Sequence, residues 1–126
     1  MQEEELTEKI LAASFEVINE LGAGFLESVY EKALLIALRE KGIAAFSQVS
    51  VPVHFRGQNV GDFLADIIVE DTILLELKAV KNLAPEHLAQ VINYLKGTGL
   101  ETALLINFGN KKLEYRRLHN REVNIG

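Results

Sequence analysis

The chain has 126 residues, of which 48% are hydrophobic and 25% charged, with a net charge of -5 and no cysteine. This composition is typical of a globular domain with a real core; it excludes disulfides and thiolate metal sites, and the acidic balance argues against a general nucleic-acid coat protein. The N-terminus is acidic and no apolar run is long enough to span a bilayer, so we expect no signal peptide, no membrane contact and a cytoplasmic location.

The first forty residues predict two amphipathic helices. From Glu3 to Leu21, apolar residues recur at three- and four-residue steps, and Gly22 follows as a C-terminal stop. A second helix is predicted from Phe25 to Lys41, where Gly42 closes it.

The rest of the chain predicts five strands and one more helix. The strands are expected at residues 43–55, 61–69, 73–79, 102–108 and 113–118, and the helix at residues 85–96. Pro52 indicates that the first strand lies at a sheet edge or contains a bulge. The order predicts a three-strand meander followed by a strand–helix–strand crossover. We therefore expect a single α/β or α+β domain over residues 1–126, with helices packed on the faces of a mixed sheet.

Two of the predicted strands carry charged residues among apolar neighbours. Asp66 lies in the second strand, while Glu76 and Lys78 share one face of the third because residues two apart point to the same side. A buried acid or lysine is costly unless it is paired or holds a metal ion. Two carboxylates on neighbouring strands can bind Mg²⁺, and a lysine beside them can orient a water or stabilise charge on a phosphate. The alternative is a structural ion pair at the sheet edge.

Four short motifs in this order carry a family resemblance. They are Gly24-Phe25-Leu26-Glu27-Ser28-Val29-Tyr30, then Asp66, then Glu76-Leu77-Lys78, and then Gln90-x-x-x-Tyr94 on the third helix. The first resembles the signature of the GxxExxY protein family, and the others resemble the conserved elements of the PD-(D/E)XK nuclease-like superfamily to which that family is assigned. The resemblance implies a restriction-endonuclease-like α-β-β-β-α-β core, here with an extra N-terminal helix and a C-terminal strand.

The resemblance also implies roles for individual side chains. It assigns metal binding to Asp66, Glu76 and Glu27, catalysis to these acids with Lys78, and the lining of the site to Gln90 and Tyr94. Tyr30, one helical turn after Glu27, is expected either to contact substrate in the cleft or to pack in the core with its hydroxyl hydrogen-bonded. For Glu27 the alternative is an acid favoured by the helix dipole in the first turn.

The leading hypothesis is a nuclease dependent on Mg²⁺ or Mn²⁺ that cuts DNA or RNA with a metal-activated water. One alternative is a binding or interaction module that has the nuclease fold but no catalytic activity. Another is a hydrolase of nucleotides or small phosphoesters. A small enzyme of this type often needs a second copy to grip both strands of a duplex, so a homodimer is one candidate assembly.

Overall fold

The computed structural model describes residues 1–120, so the last six residues of the predicted domain lie outside the described part. In chain order the elements are α1 (Glu3–Leu21), α2 (Glu27–Glu40), β1 (Ala45–Phe55), β2 (Gln58–Val69), β3 (Ile73–Lys78), α3 (Pro85–Thr98), β4 (Thr102–Asn107) and β5 (Glu114–His119). This is the predicted order. Within residues 1–120, no helix is long and apolar enough to cross a membrane.

The strands form one mixed sheet in the order β1-β2-β3-β4-β5. Neighbouring strands are antiparallel except β3 and β4, which run parallel because α3 carries the chain back between them. The predicted meander and crossover are confirmed. Pro52 lies in the edge strand β1, next to a register shift between Val53 and His54, so both features that proline indicated are present.

Helices cover both faces of the sheet. α1 and α2 pack on one face through apolar residues spaced three and four apart, among them Leu6, Ile10 and Leu34. α3 packs on the other face through Val91 and Leu95. Every residue of β4 is buried, as expected for a central strand with helices on both sides.

The second helix begins two residues later than the sequence pattern predicts. Leu26 is the N-cap in extended conformation, and Glu27 is the first helical residue. Phe25, the residue before this N-cap, donates its main-chain N–H to the hydroxyl of Tyr30 at 3.1 Å. This contact draws the chain out of the helical path before α2 begins.

A tight contact between two loops fixes the path from β3 into α3. The side chain of Asn107 accepts from the N–H of Val80 and donates to its carbonyl, both at 2.9 Å, and also accepts from the N–H of Gly109 at 3.0 Å. A Cβ atom on Gly109 would lie only 1.8 Å from the carbonyl oxygen of Val80. Position 109 therefore requires glycine, because there is no space for a Cβ atom.

We predict that Gly109→Ala lowers the free energy of unfolding by about 1–3 kcal/mol, because main-chain atoms of Val80 must move to admit the methyl group. Urea unfolding measures the loss. Lys111→Ala, at an exposed position in the same turn, serves as the control and should stay within about 0.5 kcal/mol of the wild type. Equal stability of the two variants would contradict the packing argument.

Candidate active site

The site lies where β2 and β3 separate. The two strands pair only through residues 67–69 and 73–75. Beyond them, the N–H of Asp66 donates to Oε1 of Glu76 at 3.1 Å, and the N–H of Leu77 donates to Oδ2 of Asp66 at 2.8 Å. Each carboxylate thus takes the place of a main-chain carbonyl as acceptor. As a result, both carboxyl groups are fixed between the strands.

The side chains of β3 alternate between the two faces of the sheet as predicted. Leu75 and Leu77 belong to the core under α1 and α2. Lys78 turns to the opposite face, where its Nζ donates to Oε1 of Gln90 on α3 at 3.1 Å. Glu76, two residues before Lys78, shares that face. Among the ion pairs within residues 1–120, none involves Lys78, so its ammonium group is held by an amide.

Glu76 is the most buried acid of the site, with a relative exposure of 3%. The pKa of Glu76 is raised from 4.5 to about 8, mainly by loss of hydration and in addition by the neighbouring charge of Asp66. The N–H of Asp66 and the charge of Lys78 act in the opposite direction. Near pH 7, burial together with the charge of Asp66 therefore favours the protonated form of Glu76.

The carboxyl pair fits a hard divalent cation. One oxygen of each group accepts a main-chain N–H, while the second oxygen accepts no N–H donor from the described residues. Carboxylate oxygens are the ligands preferred by Mg²⁺ and Mn²⁺, and Mg²⁺ is typically held by one or two carboxylates together with water and substrate phosphate. Nowhere in residues 1–120 do three or more His, Cys, Asp or Glu side chains come close enough together to hold a metal ion. The structure thus offers Asp66 and Glu76 as a pair, not a three-acid cluster that includes Glu27.

Glu27 approaches the carboxyl pair from the first turn of α2. Burial raises its pKa, the charge of Lys78 lowers it, and the charge of Asp66 raises it. Glu27 and Asp66 line the same small cleft, of about 190 Å³, together with Ser28, Glu31, Gln48 and Leu77. Both acids therefore face one solvent-accessible space.

Gln90 and Tyr94 extend the contacts of Lys78 along α3. The amide Nε2 of Gln90 donates to the hydroxyl of Tyr94 at 3.1 Å. Burial raises the pKa of Tyr94, and the charges of Glu76 and Asp66 add to this effect. The hydroxyl therefore stays protonated and lies within the field of the carboxyl pair.

Tyr30 does not lie at the site. Its side chain is fully buried, it stacks on Phe108 with ring centroids 4.9 Å apart, and its hydroxyl donates to the carbonyl of Gly22 at 2.7 Å. The prediction that Tyr30 contacts substrate is therefore corrected. The alternative, a core tyrosine with its hydroxyl hydrogen-bonded, describes its position, because the hydroxyl closes the loop between α1 and α2.

The structure adds residues that sequence reasoning missed. Gln48 lies in β1 between two residues that pair with Ile67 and Ala65, so it stands opposite Asp66, and its φ of +52° is unusual for a residue with a side chain. Its amide donates to Oε1 of Glu31 at 2.8 Å. The four-residue spacing from Glu27 could have indicated Glu31. No sequence signal indicates the backbone conformation of Gln48.

Comparisons with known proteins identify the family and the fold of the chain. The family model described as the PD-(D/E)XK nuclease superfamily matches residues 4–118. No curated protein is significantly similar to the chain in sequence.

Three solved structures share the fold. SSO0001 has a TM-score of 0.59 at 18% identity over 73% of this chain and 48% of its own, so this chain spans about half its length. LHK-Exo in complex with dAMP has a TM-score of 0.51 at 14% identity, covering 94% of this chain and 87% of its own. The alkaline exonuclease LHK-Exo from Laribacter hongkongensis has a TM-score of 0.50 at 13% identity with the same coverage.

At these identities the likeness concerns the fold alone. The family match, in contrast, runs from the first turn of α1 into β5 and includes every strand that positions the carboxyl pair and Lys78. The chain belongs to the PD-(D/E)XK nuclease superfamily.

Proposed function

We propose that the protein is a metal-dependent nuclease that hydrolyses phosphodiester bonds of DNA or RNA. The observation that carries the proposal is the pair of half-buried Asp66 and buried Glu76, held by main-chain donors of the facing strand beside a lysine that makes no ion pair within residues 1–120. Family membership and the fold of an exonuclease solved with dAMP support it. The family does not fix the polymer, so DNA and RNA both remain substrates to test.

Asp66 and Glu76 are the proposed ligands of Mg²⁺ or Mn²⁺. When bound, such an ion polarises a phosphoryl oxygen and lowers the pKa of a water. Glu76 must then be ionised, and its raised pKa means that a cation has to displace its proton. Glu27 faces the same cleft as Asp66, where it can hold a water or hydrogen-bond the attacking group.

Lys78 is the proposed catalytic cation. Its ammonium group has three donors, and only one of them is used by Gln90. The remaining donors can orient the attacking water or stabilise the charge that develops on the phosphate. Gln90 and Tyr94 would hold Lys78 in place and border the substrate on the α3 side.

Within the superfamily, we propose that the chain belongs to the GxxExxY group, on the basis of the segment from Gly24 to Tyr30. Its positions have separable roles in the structure. Glu27 lies at the cleft, whereas Tyr30 is in the core. The motif would therefore join a site acid to the tyrosine that anchors its helix.

We predict that purified protein cleaves DNA or RNA in Mg²⁺ or Mn²⁺ and that Lys78→Met reduces the rate by at least about 100-fold. The assay compares single- and double-stranded polymers of both kinds. Lys81→Met, which removes an exposed lysine from the following loop, is the matched control and should cleave like the wild type. Undiminished cleavage by Lys78→Met would point to a contaminant and remove support for the proposal.

A second prediction concerns the metal. Calorimetric titration with Mn²⁺ should show binding that Asp66→Asn and Glu76→Gln each weaken by at least about 10-fold, since each variant removes one carboxylate of the pair. Asp62→Asn, at an exposed position earlier in β2, should bind as the wild type does. Identical titrations for all four proteins would exclude the pair as the metal site.

The raised pKa of Glu76 predicts how stability depends on pH in metal-free protein. Between pH 4.5 and about 8, the folded state holds a proton on Glu76 that the unfolded state has lost. Stability therefore falls as pH rises through this window, and the loss is complete above the folded pKa. Urea unfolding with a chelator, from about pH 5 to pH 9, should show this decline for the wild type but not for Glu76→Gln. Glu86→Gln, at an exposed position, should decline as the wild type does, and parallel curves for wild type and Glu76→Gln would refute the assignment.

A further inference from the structure

An aromatic stack is hydrogen-bonded to the amide that holds Lys78. The rings of Phe63 on β2 and Tyr94 on α3 are nearly parallel, with a 7° interplanar angle and centroids 3.9 Å apart. Phe63 precedes Asp66 by three residues, and Tyr94 follows Gln90 by one helical turn. The stack therefore joins the strand of one carboxylate to the helix that faces the lysine.

The stack depends on a glycine inside α3. A Cβ atom on Gly97 would lie 2.8 Å from Cε1 and 3.4 Å from Cζ of Phe63. Gly97 lies in the last turn of α3, which ends at Thr98, and glycine at a helical position is less favourable than alanine by up to about 1 kcal/mol. Gly97 is therefore needed for space, because a methyl group there forces the ring of Phe63 off Tyr94.

From the stack, a continuous series of contacts leads to the lysine. The hydroxyl of Tyr94 accepts from Nε2 of Gln90, and Oε1 of Gln90 accepts from Nζ of Lys78, each at 3.1 Å. An amide can be flipped end for end, which would present an N–H donor to the ammonium group of Lys78 instead of an acceptor. The ammonium group of Lys78 only donates, so it selects the orientation that presents Oε1, and the hydroxyl of Tyr94 anchors the opposite end of the amide while its ring is fixed.

We propose that Phe63 and Gly97 are positioning residues for Lys78, acting through Tyr94 and the amide of Gln90. The proposal rests on the proposed nuclease function for its effect on rate, but not for its effect on geometry. It predicts that disturbing the stack lowers kcat and leaves KM nearly unchanged, because a misplaced lysine weakens the transition state more than substrate binding. A stack that only stabilises the fold would change neither constant per folded molecule.

The two positions allow a diagnostic pair of variants. Phe63→Leu removes the ring, and Gly97→Ala pushes it aside. In the double variant the smaller leucine makes room for the alanine methyl group, so the stability changes are non-additive and the packing conflict is relieved. Activity is not restored in the double variant, because Tyr94 still lacks its partner. Leu118→Ala is the control, since Leu118 belongs to the same apolar cluster but lies on β5 at the far edge of the sheet.

The experiment measures kcat, KM, urea stability and the side-chain amide NMR signals of Gln90 for each protein. We expect Phe63→Leu, Gly97→Ala and the double variant to lower kcat by about 10-fold to 100-fold, with KM within about 2-fold, and to shift the Gln90 signals. Leu118→Ala should lose stability with unchanged kcat and Gln90 signals. Unshifted Gln90 signals in Phe63→Leu and Gly97→Ala, or a kcat equal to that of Leu118→Ala, would overturn the proposal. If the wild-type protein cleaves nothing, the nuclease proposal fails, and the Gln90 signals alone decide whether the stack positions the amide.

Discussion

Two carboxyl groups close the gap between β2 and β3, and the geometry of the site depends on this interaction. In an unbroken antiparallel ladder, main-chain carbonyls would accept the N–H groups of Asp66 and Leu77. Here the side chains of Glu76 and Asp66 accept them. The same two residues therefore complete the sheet and supply the oxygens of the site. Since Glu76 is buried and the adjacent carboxylate of half-buried Asp66 repels it when both are ionised, the arrangement favours the binding of a proton or a cation.

The lysine is positioned from the opposite side of this gap. β3 points Lys78 toward α3, and the loop after β3 is fixed by Asn107 and Gly109, so the approach of α3 to the sheet is fixed as well. The helix meets Lys78 with an uncharged amide and not with an acid. The ammonium group consequently keeps donors that Gln90 does not use, and its charge acts on Glu27 and Glu76 without an ion pair among the described residues.

The predictions that rest on sequence patterns with a short period agree with the structure. Apolar steps of three and four gave α1 its bounds, alternation placed Glu76 and Lys78 on one face of β3, and Pro52 indicated an edge strand with an irregularity. Longer-range features were missed. The left-handed conformation of Gln48 occurs opposite Asp66 of the neighbouring strand, and the stack of Phe63 on Tyr94 joins two elements that no local pattern connects.

Tyr30 shows the difference between what the sequence determines and what the tertiary structure decides. Its motif position left both a cleft residue and a core residue open, with the core the more usual place for a tyrosine on an amphipathic helix, and the packing of its ring against Phe108 decided for the core. The sequence by itself determined the order of the elements, their buried faces and the superfamily motifs, because these depend on residues close together in the chain. The tertiary structure alone decided which acids lie next to each other, how deeply Glu76 is buried and which groups contact Lys78. These outcomes depend on distances between elements, and neither periodicity nor residue type along the chain encodes such distances.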